Sequence, residues 1–125
     1  MELNEYQQQA MSTCMPSCDN FGYMFLNLVG EVGELASKVA KGIRKEEVFL
    51  FDNDLRYTRG IDEDIAKIKQ IQEIGDCLWM IAGLSKSYGY TLEEVAQKNL
   101  QKLAARKQLA QYQVTEMASI IDRQL

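Results

Sequence analysis

Between Cys77 and Leu84 the chain reads CLWMIAGL, with no charge on any side. The stretch is the second half of a longer run, from about Asp62 to Tyr88, whose first half is charged and amphipathic. A helix that is apolar all round must be wrapped by other elements, so this one belongs in the middle of a bundle or at an interface between subunits. Proline occurs once, at Pro16, so nothing downstream forbids long helices.

The rest of the chain reads the same way. Leu3, Tyr6 and Ala10 open a short amphipathic helix that must stop before Pro16. Asp19 or Asn20 can cap a second helix running to about Gly42, because Met24, Leu28, Val32, Leu35 and Val39 step by three or four residues. Thr91-Leu92-Glu93-Glu94 is a capping box and starts a fourth helix, read to about Gln111, with one further short helix in the tail from Thr115 to Leu125. Residues 43–61 lack a clear period and carry the turn signal FDND. They read as a long connection with a short turn at Val48 to Phe51, and connections of that length are usually functional or mobile. No β-alternation stands out. The expectation is all-α: a four-to-five-helix bundle in one domain, residues 1–125.

Histidine is absent, which removes Ser-His-Asp and Cys-His catalysis, histidine zinc sites and di-iron bundles. The net charge of −4 draws in no nucleic acid. No apolar run approaches the ~20 residues of a membrane span, and the polar start MELNEYQQQA reads as no signal peptide. Cys14, Cys18 and Cys77 are odd in number and read as reduced thiols of a cytoplasmic protein.

Four acids break the usual pattern of solvated charge. Glu31 and Glu34 lie inside LVGEVGELA, and Glu73 and Asp76 inside EIGDCLWMIAG. Each pair is spaced i, i+3, which sets both carboxylates on one helix face a turn apart. At ~5 Å and an effective dielectric of 20, each pair repels by ~3 kcal/mol. Such groups are protonated or gather around a cation. Oxygen donors without histidine suit Mg²⁺, with Mn²⁺ as a substitute, better than zinc or copper.

Asn99, Lys102 and Arg106 fall at i, i+3 and i+7 on one face of the fourth helix, and Lys38 and Lys41 lie one and two turns past Glu34. An amide, ammonium groups and a guanidinium in line can hold phosphate oxygens. Carboxylates, a metal and a basic stripe together point to phosphoryl chemistry.

Glu31-Val-Gly-Glu34 followed by Glu73-Ile-Gly-Asp76 resembles the ExxE…ExxD signature of MazG-like nucleoside triphosphate pyrophosphohydrolases. The likeness continues through EIGDCLWMIAGLSKSYGYTLEEVAQKNLQKLAAR, residues 73–106, and in the opening LNEYQQQA. The 38 residues between Glu34 and Glu73 exceed the family's usual interval, and the extra length falls in 43–61. The resemblance implies a homodimer or homotetramer that cleaves a nucleoside triphosphate, (d)NTP, between the α and β phosphates. It implies that Glu31, Glu34, Glu73 and Asp76 hold Mg²⁺, one of the first pair also orienting the attacking water. Asn99, Lys102 and Arg106 would contact the nucleotide or its phosphates. Phe21, Tyr23 and Trp79 are candidates for a wall against the base. Two other readings fit these residues: an enzyme of the same architecture acting on another pyrophosphate, such as a phosphoribosyl nucleotide, and a catalytically silent helical module for dimerisation or binding.

Overall fold

The computed structural model describes residues 1–124. Four α-helices follow in order: α1 (Leu3–Met11), α2 (Phe21–Arg44), α3 (Glu63–Ser87) and α4 (Leu92–Gln124), with a 3-10 turn at Pro16–Cys18. The helix starts are set by side chains. Asn20 Oδ1 accepts from the Tyr23 amide at 2.9 Å, and Asp62 Oδ1 from the Ile65 amide at 3.1 Å. At the head of α4, the Glu94 amide donates to Thr91 Oγ1 and the Thr91 amide to Glu94 Oε1, both at 3.2 Å. Asp19, the other candidate cap, instead pairs with Lys86 at 2.9 Å. Gly89, at φ +81°, supplies the left-handed residue that ends α3.

The 43–61 connection differs from its sequence reading. It contains a β-hairpin, β1 (Val48–Phe51) and β2 (Asp54–Tyr57), antiparallel with Val48 opposite Tyr57 and Phe51 opposite Asp54. Asp52 and Asn53 form the two-residue turn, both with positive φ, the backbone a tight hairpin demands. The Glu47 amide donates to Gly42 O, and Thr58 N to Glu47 O, both at 2.9 Å, so the base of the hairpin is tied to the end of α2. A Cβ on Gly42 would stand 2.8 Å from Val48 Cγ2; the glycine lets β1 lie directly on the helix. The tail also differs: α4 runs unbroken to Gln124 in place of two shorter helices. No helix–stopping proline or glycine lies between Thr91 and Gln124.

α2 and α3 lie antiparallel, with Met24 against Gly83 at one end and Lys38 against Glu73 further along. Met24 is wholly buried. α1 crosses α3 and is held by polar ties. Gln7, itself buried, donates through Nε2 to Ala82 O (3.1 Å) and Tyr90 O (3.3 Å) and accepts from the Leu92 amide (3.0 Å). One amide thus joins α1 to the end of α3 and the start of α4. Trp79 Nε1 donates to Ala10 O and Thr13 Oγ1, both at 3.0 Å. Beyond its first turns α4 stands in solvent. No described helix is long and apolar enough to cross a membrane.

The apolar segment of α3 is covered in part within the chain. Met80, Ala82 and Gly83 are buried, whereas Leu78 and Ile81 remain exposed. They continue a stripe begun by Ile71 and Ile74, spaced by three and four residues and 63% and 55% exposed.

Candidate active site

The acid pairs sit mid-helix, where antiparallel packing sets α2 beside α3. Oxygen atoms of Glu31, Glu73 and Asp76 come within 4.8 Å of one another. Glu73 is buried, Glu31 half-buried and Asp76 exposed. Glu34 is exposed, lies outside this group of three, and faces Lys38 at 3.9 Å. Lys38 also donates to Glu73 Oε1, bridging α2 and α3.

The charge balance is incomplete. Glu31 Oε2 and Glu73 Oε2 are buried with no hydrogen-bond partner among the described residues, and Glu73 as a whole is only 9% exposed. A buried carboxylate oxygen without a partner is costly, and both orphans belong to the same cluster. Burial pushes the Glu31 carboxyl above its ordinary pKa, helped by the negative charges of Asp76, Glu34 and Glu73. The same field reaches its surroundings. Burial and then Asp76 raise the Tyr6 phenol on α1, and burial followed by Glu31, Asp76 and Glu73 raises the Cys77 thiol. Hard oxygen donors, a strongly negative field and two orphaned oxygens fit a divalent cation such as Mg²⁺ or Mn²⁺.

The remaining sequence candidates are dispersed. Lys41 on α2 is exposed and unpaired among the described residues. Asn99, Lys102 and Arg106 lie on the exposed part of α4, with no hydrogen bond or ion pair to the acids among the described residues. Phe21 stacks on Phe25 with ring centres 5.4 Å apart and meets Tyr88 edge-on at 5.6 Å. Trp79 spends its N–H on α1. Sequence reasoning passed over Gln70, one turn before Glu73, which accepts a hydrogen bond from Tyr57 Oη at 2.8 Å. The only available signal was its i, i+3 spacing from Glu73.

A family model described as the MazG nucleotide pyrophosphohydrolase domain matches residues 21–110, a span that holds all four acids and ends within α4. The gene 37 protein of Mycobacterium phage L5 is 32% identical over 114 residues, covering 86% of this chain and 90% of that protein. No solved structure matches the chain.

Proposed function

The chain belongs to the MazG nucleotide pyrophosphohydrolase family, and we propose that it is a metal-dependent enzyme cleaving a (d)NTP to (d)NMP and pyrophosphate. The observation that carries the reading is the pair of orphaned oxygens, Glu31 Oε2 and Glu73 Oε2, in a cluster with Asp76. Glu31, Glu73 and Asp76 would hold Mg²⁺ or Mn²⁺, with Glu34 as a fourth donor at the edge. When bound, such an ion polarises the phosphorus centre and lowers the pKa of a coordinated water. Glu34, exposed and one turn from Glu31, would orient the attacking water and take its proton. Lys38 fixes Glu73 through Oε1, leaving Oε2 free. Lys41 and the α4 stripe of Asn99, Lys102 and Arg106 would bind phosphate oxygens. Assayed across nucleotides with Mg²⁺, at least one (d)NTP should yield monophosphate and pyrophosphate in equal amounts. Orthophosphate with a nucleoside diphosphate as product would sink the reading, and so would no turnover on any nucleotide.

The same protein should assemble as a homodimer or homotetramer. Ile71, Ile74, Leu78 and Ile81 make an exposed apolar stripe on α3, and Leu26 and Val29 on α2 are 70% and 63% exposed. Faces of this kind are what one subunit offers another. Sedimentation velocity should show an oligomer at micromolar concentration. A stable, folded monomer there would contradict it.

A further inference from the structure

Between the end of α2, the hairpin and the start of α3 lies a cavity of about 330 Å³. That is the size of a small-molecule site. Its floor is apolar, formed by Val39, Val48, Ile61 and Ile65. Its charged walls cancel, Lys38 and Lys69 against Glu47 and Asp62. A triphosphate tail carrying several negative charges finds no net complement here, whereas a flat neutral heterocycle does. The cavity also adjoins the acid cluster through two of its own lining residues. Lys38 bonds Glu73, and Gln70 stands one turn before Glu73 on α3.

Gln70 is the polar group that can read such a heterocycle. Its Oε1 is taken up by the hydroxyl of Tyr57, at 2.8 Å from the last residue of β2. Its Nε2 donates to nothing among the described residues, so both amide N–H groups are free while Tyr57 holds one lone pair of the carbonyl. A donor of this kind pairs with a keto oxygen and meets an exocyclic amino group donor to donor. The hairpin occupies the segment that makes 43–61 unusually long, and its Val48 and Tyr57 respectively line the cavity and orient the amide.

We propose that this cavity is the nucleobase subsite, and that Gln70, oriented by Tyr57, selects bases with a keto group at the pyrimidine 4 or purine 6 position. The inference rests on the pyrophosphohydrolase reading for its ligand class, but its test does not depend on hydrolysis. The full chain, methyl-labelled at Val and Ile, is titrated with UMP, GMP, CMP and AMP and followed by NMR. UMP and GMP should shift the methyls of Val39, Val48, Ile61 and Ile65 and bind more tightly than CMP and AMP. Gln70→Ala should weaken UMP and GMP by about threefold to tenfold, the worth of one hydrogen bond, and abolish the discrimination. Tyr57→Phe should blunt the discrimination with a smaller loss of affinity. Unmoved methyls with every nucleotide would overturn the proposal, as would a preference for CMP and AMP or full discrimination in Gln70→Ala. Absence of (d)NTP cleavage alongside keto-selective binding would refute the enzymatic reading and leave the subsite standing.

Discussion

Asp76→Asn should lower pyrophosphate release by orders of magnitude while leaving the metal-free protein at least as stable as wild type at neutral pH. The substitution keeps the size of the side chain and removes one negative charge from a group whose oxygens lie within 4.8 Å of one another. Repulsion between two unit charges at 4.8 Å is ~3.5 kcal/mol for an effective dielectric of 20, and solvent at the exposed Asp76 reduces it. On the proposed reading, affinity for Mg²⁺ and alignment of the attacking water would both depend on the full set of carboxylates, so the rate should collapse although the fold does not. A structural aspartate would do the reverse, lowering the melting temperature and sparing turnover per folded molecule. A destabilised but fully active variant would therefore end the metal role of Asp76.

The pH dependence of the metal-free protein sharpens the same test. The Glu31 carboxyl is held above its unfolded pKa by burial first and by Asp76 next. The stability associated with a raised carboxyl is fully present below its unfolded pKa and is lost as pH rises through the folded value. Acidification from neutral pH should thus stabilise the metal-free wild type as Glu31 takes up its proton, until other acids begin to titrate. Asp76→Asn removes the second of the causes, so its melting temperature should vary less over that window. Thermal melts from pH 7 down to the ordinary glutamate range, with and without Mg²⁺, read both effects. An unchanged pH slope in the variant would show that Asp76 does not act on Glu31.

What sequence reveals and what it hides follow from the range of the interactions. The helices rest on periods of three to four residues and on caps spanning three, and Asn20, Asp62 and Thr91 lie where such local rules place them. The acids stood out because each pair is spaced i, i+3 and Asp76 stands directly before the uncharged run CLWMIAGL. The hairpin was hidden because β1, VFLF, is a continuous apolar run without alternation, and only its pairing with β2 makes it a strand. The tail of α4 read as a separate helix because few of its residues meet the rest of the chain, leaving no burial pattern to mark continuity. That Glu31, and not Glu34, joins Glu73 and Asp76 depends on the rotation of α2 against α3. So does the bond from Lys38 to Glu73, across 35 residues of sequence.

Met24 packs against Gly83 where α2 meets α3, and the second large effect is expected there. Met24 is fully buried, and a Cβ on Gly83 would stand 2.3 Å from its sulfur and 2.4 Å from its terminal methyl. Met24→Ala should destabilise the protein by about 2–5 kcal/mol, through lost burial and the cavity left behind. At a few degrees per kcal/mol, that is a fall in Tm of roughly 8 °C or more. Gly83→Ala alone faces opposing terms: about 1 kcal/mol gained in helix propensity against about 1–3 kcal/mol for crowding Met24. Combining the two should be better than Met24→Ala alone, because the new methyl enters space that the methionine has vacated. A positive coupling of ~1 kcal/mol or more in the double-mutant cycle is the expected signature. The contact also lies seven residues, two helical turns, from Glu31 on α2 and from Asp76 on α3, so forcing the helices apart there should loosen the acid cluster ~10 Å away. Gly83→Ala should accordingly weaken Mg²⁺ binding, measured by calorimetry on the folded protein, and the added Met24→Ala should restore it. Strict additivity in stability, with Mg²⁺ affinity untouched by either change, would mean that another contact holds α2 and α3 in register.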